Sequence, residues 1–249
     1  MNYQDVNAGI IDGWCKNGWA WGIPVSHEVY AAAENGEWNV LLTPTRPVPH
    51  EWIGSVKGKQ ILGLASGGGQ QMPVFAALQA KVTVLDYSKA QLETERMVAA
   101  REKYPIDIVY GDMTKTLPFS DSFFDLIFSP VANCYAENML PIWKECSRVL
   151  KTGGVLLAGM DNGFCFAFDE TETKLEYTLP FNPLKNELHR KALAESGGGY
   201  QFSHSIDDLI GGQLSAGFQL TGIYGDTGGS GNLHEHGIQT FWATRAVKV

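Results

Sequence analysis

The segment Gln60–Tyr87, QILGLASGGGQQMPVFAALQAKVTVLDY, constrains this chain more than any other. It reads as an apolar strand, a glycine-rich turn, a helix, and a second strand that ends in an acid. In a parallel sheet, that order puts backbone N–H groups and a helix N-terminus at one mouth, with a carboxylate one helix away. A mouth built this way holds a cofactor that contains a nucleoside. Gly63, Ala65 and Gly68 fit a loose G-x-[GA]-x-x-G fingerprint, which is a weak signal alone because glycine-rich turns are common. Asp86 does not discriminate between cofactors. NAD sites and S-adenosylmethionine (SAM) sites both place an acid there for ribose hydroxyls.

The downstream chain does discriminate. The apolar run Ile106–Tyr110 ends in Gly111-Asp112-Met113. Then Leu117-Pro118-Phe119-Ser120-Asp121-Ser122-Phe123-Phe124-Asp125 leads into Leu126-Ile127-Phe128-Ser129. Later, Arg148-Val149-Leu150-Lys151-Thr152-Gly153-Gly154 leads into Val155–Met160. These motifs, in this order, resemble the class I SAM-dependent methyltransferases, in particular the small-molecule type 11 group. The resemblance covers roughly residues 56–160 and recurs weakly in the last two strands.

It implies an α/β fold with a doubly wound, mostly parallel sheet of seven strands in the order 3-2-1-4-5-7-6. It implies SAM as cofactor and a small-molecule methyl acceptor. It places the cofactor against Gly63, Ala65, Ser66, Gly67 and Gly68 in the first turn, and against Asp86 and Tyr87 at the ribose. Gly111, Asp112 and Met113 then face the adenine, and Ser129 closes the fourth strand.

The chain departs from the family in its first motif. The usual VLDLGCGTG reads here Ile61-Leu62-Gly63-Leu64-Ala65-Ser66-Gly67-Gly68-Gly69. Gly63 stands where the family has an acid near the methionine amino group, and Ala65 replaces the first turn glycine. Either another group contacts that ammonium, or the site binds SAM without catalysis. The intact later motifs favour the first reading. A non-catalytic SAM-binding or regulatory protein thus remains an alternative. An NAD-dependent oxidoreductase is a weaker one, opposed by the Gly111-Asp112-Met113 and Leu117–Asp125 segments.

With 249 residues, 44% of them apolar and 18% charged, the chain has the composition of a soluble globule with a sizeable core. Residues 1–54 read as an N-terminal cap or lid, because they hold Trp14, Trp19, Trp21, Trp38 and Trp52, five of the seven tryptophans. The resemblance makes residues 55–249 the expected methyltransferase core, with an insertion at about 161–203. Helices are expected at His27–Glu34 behind Ser26, at Lys89–Lys103 behind a Ser88/Gln91 capping box, after Asn138, near 185–196, and from Ser205 to Ser215. Phe218–Tyr224 and Ile238–Val247 read as the last strands. The net charge of −8 and the scattered basic residues disfavour nucleic-acid partners. No run is long enough to span a membrane, and the N-terminus lacks signal-peptide features. Cys15, Cys134, Cys146 and Cys165 show no zinc or disulfide spacing, so no metal and a reducing, cytoplasmic setting are expected. Oligomeric state stays open.

Methyl transfer from a sulfonium needs orientation and exclusion of water, and a base only when the nucleophile carries a proton. Catalytic candidates are Asn133 and Tyr135, just after the fourth strand, and His27 and His204 as bases, with His50 a further histidine. His234-Glu235-His236 is read as one side of a strand, without a third metal ligand. Trp14, Trp19 and Trp21 among Gly13, Gly18 and Gly22 read as a glycine-hinged lid.

Overall fold

The computed structural model describes residues 2–249. Its strands are β1 (Gln60–Leu64), β2 (Lys81–Asp86), β3 (Ile106–Tyr110), β4 (Phe124–Ser129), β5 (Leu150–Asp161), β6 (Phe218–Asp226) and β7 (Phe241–Lys248). They form one sheet in the order β3-β2-β1-β4-β5-β7-β6. The first five are parallel, and β7 runs antiparallel between β5 and β6. Strand order reverses between β1 and β4, so the crevice beyond their carboxyl ends is where this architecture places a ligand.

Both faces of the sheet are covered, which explains the continuous apolar runs Ile61–Leu64, Leu126–Phe128 and Val155–Met160 in its inner strands. Ile61, Val84, Phe128 and Leu157 face one core, together with Phe75 and Leu92. Leu62, Leu85, Ile127 and Leu156 face the other, against Trp143, Cys146 and Val149. The helices are α1 (Tyr3–Lys16), α2 (His27–Glu34), α3 (His50–Ile53), α4 (Met72–Ala77), α5 (Lys89–Glu102), α6 (Leu140–Val149), α7 (Glu187–Ser196), α8 (Gly212–Ser215) and α9 (Asn232–Glu235). Ser88 Oγ accepts from Gln91 N at 3.2 Å and so caps α5. The Gln91 side chain does not close the expected box. It donates instead to the Trp21 carbonyl at 3.2 Å.

The later motifs have structural reasons. Arg148 donates to the carbonyls of Leu117 and Phe119 and pairs with Asp121 and Glu145, which fixes the loop before β4. Asp125 accepts from Gln60 N at 2.8 Å and from Lys151 Nζ at 2.7 Å, joining β1, β4 and β5 at their base.

Three expectations need correction. Gly18 (φ 78°) and Gly22 of the expected hinge lie in the turn after the first helix, but Gly13 lies inside α1, which is helical throughout. Asn2 Oδ1 caps it by accepting from Asp5 N at 2.8 Å, while Gly9 and Gly13 lie inside it with open space where a Cβ would be. Each glycine costs about 1 kcal/mol relative to alanine, and the side-chain tethers of α1 described below offset that cost. The His234-Glu235-His236 run is α9 and its cap, not a strand, because Gly231 (φ 89°) and Gly237 (φ 68°) turn the chain at either end and Leu233 is buried. β7 accordingly begins at Phe241 rather than Ile238, and β5 extends over Leu150–Asp161. At the end of β5 the segment 41–44 crosses the sheet, where any side chain at Gly159 would collide with the Leu42 carbonyl.

Candidate active site

A cavity of about 310 Å³ lies beyond the carboxyl ends of the central strands. Ala65, Ser66 and Gly67 border it at β1, Asp86 and Tyr87 at β2, Gly111–Thr114 at β3, and Pro130–Ala132, Cys134 and Tyr135 after β4. α1 covers it with Gln4, Asn7, Ala8 and Ile11, and Trp19 and Trp21 reach it from the turn that follows. Leu41–Pro44, Asp161 and Phe241 complete the far wall.

The glycine turn is shaped for close approach. Ala65 (φ 49°), Gly68 (φ 95°) and Gly69 (φ 68°) take the left-handed backbone that glycine adopts freely. A Cβ on Gly67 would sit 2.6 Å from Gln91 Cβ and 3.0 Å from Asp86 Oδ2. Asp86 is pinned at the wall, with Oδ2 accepting from Gly67 N at 3.0 Å and Oδ1 from Ser88 N at 2.8 Å. Burial pushes its carboxyl up, and these backbone donors oppose the shift. Behind the turn, Glu95 is fully buried and accepts from Gly69 N at 2.8 Å. Desolvation raises its carboxyl to about 8.

Two cavity-lining side chains have unmet hydrogen-bonding capacity. Ser66 Oγ and Gln91 Oε1 are buried without a protein partner. Unpartnered buried polar atoms are rare in native proteins, and here they border a cradle that a Cβ would fill. Together with the strand-end acids Asp86 and Asp112, they suit a ligand with many hydrogen-bonding groups. The residues present therefore fit a nucleoside cofactor.

α1 is latched over this cavity on several sides. Asp5 Oδ1 accepts from Tyr87 Oη at 2.8 Å, and Asp12 Oδ1 accepts from Ser88 Oγ at 2.6 Å and Ala90 N at 3.0 Å. Gln4 Nε2 donates to Thr114 Oγ1, whose hydroxyl donates to Asp112 Oδ1. Asn7 is buried and exchanges two hydrogen bonds with the Tyr200 backbone, at 2.9 and 2.6 Å. The tryptophans lie in the same cover: Trp14 packs against Trp19 at 5.4 Å between centroids.

The remaining sequence candidates fall elsewhere. Gly63 is inside the sheet between Val84 and Phe128, and a Cβ there would lie 2.8 Å from Met72 Sδ. The Met72 thioether thus occupies the space next to the absent acid. Gly68 and Ser129 do not line the cavity, and a Cβ on Gly68 would lie 2.7 Å from Gln91 Oε1. The Asn133 side chain clamps the end of β5 through Asp161, and buried His204 places Nε2 3.1 Å from the Asn133 carbonyl. His27 is on the outer surface, its exposed ring 2.9 Å from Glu102, and His50 stacks on Trp38. Neither reaches the cavity. Among the described residues no group of three or more ligating side chains assembles a metal site.

Sequence reasoning missed Asp161, Gln91 and the inner face of α1. Asp161 had a readable signal. It directly follows the apolar Val155–Met160, just as Asp86 follows Val82–Leu85. It is 8% exposed; Oδ1 accepts from Gly163 N at 2.7 Å, and among the described residues Oδ2 meets only the Cys165 thiol, at 3.3 Å. Burial raises its carboxyl to about 6.

A doubly wound sheet in this strand order, with a glycine turn and acids at successive strand ends, defines the class I methyltransferase architecture. Comparison with known proteins agrees. Residues 62–158 match the methyltransferase domain family. The chain is 42% identical over 250 residues to the uncharacterized methyltransferase YbaJ of Bacillus subtilis, covering 98% of this chain and 97% of that protein. A SAM-dependent methyltransferase from Mesorhizobium loti superposes with a TM-score of 0.65 at 19% identity, over 80% of this chain and 95% of that one. Geranyl diphosphate C-methyltransferase from Streptomyces coelicolor, solved with S-adenosylhomocysteine, superposes at 0.57 with 15% identity, over 80% of this chain and 74% of that one. The chain belongs to the SAM-dependent methyltransferase family, and its cofactor is SAM.

Proposed function

We propose that the protein methylates a small organic molecule inside the covered cavity. The observation that carries this reading is the roof. α1 and the Trp19–Trp21 turn close over the same cavity that the glycine turn and the strand-end acids border. A polymer has no straight path past that roof, which suits a compact acceptor. The net charge of −8 also gives phosphate backbones no long-range attraction.

In this reading Asp86 accepts from the ribose hydroxyls, Asp112 and Met113 hold the adenine, and the Ser66–Gly67 turn and Gln91 approach the amino-acid end. SAM supplies a methyl group on an activated leaving group. The chain orients the acceptor for in-line attack and keeps water out. Trp19, Trp21 and Phe241 supply the apolar body of the acceptor pocket, and Tyr135 and Asp161 its polar end.

The test is twofold. Calorimetry should show S-adenosylhomocysteine binding and no NAD binding. Labelled SAM incubated with the small-metabolite fraction of a cell extract should give a labelled product of low mass. Label that appears only in protein or nucleic-acid fractions would refute the small-molecule reading.

A further inference from the structure

Asp161 is the one cavity-lining carboxylate that the cofactor reading leaves without a task. It lies at the end of β5, and the Asn133 amide holds both its backbone C=O and N–H, at 2.8 and 2.9 Å. Only 8% of the residue is exposed. No lysine, arginine or histidine among the described residues pairs with it. Gly163 N holds one oxygen, while among the described residues the other has only a thiol, a weak donor. Buried carboxylates in native proteins are normally paired with a cation or fully hydrogen-bonded. This one sits beside an aromatic-rich cavity with one oxygen poorly served, so the missing partner is expected on the ligand. Trp19, Tyr135 and Phe241 line the same space, and aromatic faces also favour a cation.

We propose that Asp161 is the catalytic base of this enzyme, and that the acceptor is an amine that enters protonated and pairs with this carboxylate. The inference rests on the methyltransferase reading above and names its substrate class. The step balances simply. One N–H proton of the bound ammonium passes to Asp161, which frees the nitrogen lone pair. That nitrogen attacks the methyl carbon. The N–CH₃ bond forms as the S–CH₃ bond breaks, and its electron pair goes to sulfur to give S-adenosylhomocysteine. The product leaves as a methylated ammonium, and Asp161 returns its proton to solvent. In an apolar cavity a neutral acid–amine pair avoids burying two charges, which makes the first transfer accessible.

The neighbouring titratable groups do not compete for this role. Burial raises the Cys134 and Cys165 thiols and the Tyr135 hydroxyl far above neutrality, and it lowers His204. Asp161, raised to about 6, is left to titrate at the acid edge of neutrality.

The probe is benzylamine, with benzyl alcohol as its uncharged counterpart, each titrated into the protein saturated with S-adenosylhomocysteine. Benzylamine should bind the wild type more tightly than benzyl alcohol does. Asp161→Asn should lose about tenfold or more in benzylamine affinity, in the range of a charge-assisted hydrogen bond, while its S-adenosylhomocysteine affinity stays unchanged. In the wild type, benzylamine affinity should rise from about pH 5 to about pH 7.5 as the carboxylate ionises. This measurement needs no variant and stands if Asp161→Asn fails to fold. Labelled SAM should give a new labelled species, resolved from SAM itself, in the fraction of a metabolite extract retained on a cation exchanger, and Asp161→Asn should abolish that species. Equal binding of amine and alcohol, label confined to the unretained fraction, or an Asp161→Asn variant weakened toward S-adenosylhomocysteine would each overturn the proposal. Failure of the wild type to bind S-adenosylhomocysteine would instead overturn the reading beneath it.

Discussion

Asn133 and Asp161 hold each other across the sheet: Asn133 Nδ2 donates to the Asp161 carbonyl at 2.8 Å, and Asp161 N donates to Asn133 Oδ1 at 2.9 Å. An amide side chain presents a donor and an acceptor side by side, which a backbone strand end requires. Asn133→Ala leaves both backbone groups of Asp161 buried and unpaired. We expect a loss of about 2–4 kcal/mol in urea denaturation, from two such bonds at roughly 1–2 kcal/mol each. A stability within error of the wild type would show that water replaces the clamp.

Asp86→Ala should weaken S-adenosylhomocysteine binding by about 1.5–3 kcal/mol by calorimetry, the range for a charge-assisted hydrogen bond. The carboxylate also holds Gly67 N and Ser88 N, so the glycine turn should loosen in the same variant. Unaltered affinity would place the ribose acceptor elsewhere.

Restoring the family's acid at Gly63 should fail. The new Cβ would lie 2.8 Å from the Met72 thioether, which is fully buried. Gly63→Asp should cost about 1–3 kcal/mol from overpacking. Combined with Met72→Ala, the penalty should be smaller than the sum, with a coupling of roughly 1–2 kcal/mol in a double-mutant cycle. Simple additivity would mean that Met72 swings clear at no cost.

Glu95 links folding to pH. Its carboxyl rises from an ordinary 4.5 to about 8 because burial disfavours the charge. Between those values the unfolded chain releases its proton before the folded one. This contribution to stability is therefore complete below about pH 4.5 and is lost as pH rises toward about 8, at a slope of up to ~1.4 kcal/mol per pH unit. Glu95→Gln, isosteric with the protonated acid, should flatten the profile and be the more stable form at pH 8. Parallel urea curves at about pH 5 and pH 8 decide the matter, and an unchanged slope would show that Glu95 ionises freely.

Asn7→Ala should speed release of S-adenosylhomocysteine by cutting the two hydrogen bonds between α1 and Tyr200. Stopped-flow tryptophan fluorescence can follow this, since Trp19 and Trp21 border the cavity. Release at the wild-type rate would mean that α1 does not open there.

The sheet was legible because its information is local. Apolar runs bounded by Gly111-Asp112, Leu117–Asp125 and Arg148–Gly154 mark strand ends, and the structure places β1 to β4 where those runs lie. α1 was misread because Gly13, Gly18 and Gly22 suggest a hinge, while what holds the helix is distant in sequence: Asp12 on Ser88, and Asn7 on Tyr200. His27 looked like a base because a histidine's position relative to a cavity depends on tertiary packing. Met72 beneath Gly63 was equally invisible, since a substitution shows what has been lost and not what fills the space.

The roof carries a kinetic consequence. Gln4, Asn7 and Ile11 belong to one helix, and all three line the cavity that Asp86, Asp112, Tyr135 and Asp161 also line. If that helix is the way in, the methyl donor and its acceptor share one doorway. With one door, turnover becomes a queue: the deeper guest enters first and leaves last. For this enzyme that predicts compulsory-order kinetics, with the spent donor as the tightest product inhibitor and the swing of one helix setting the pace of the cycle.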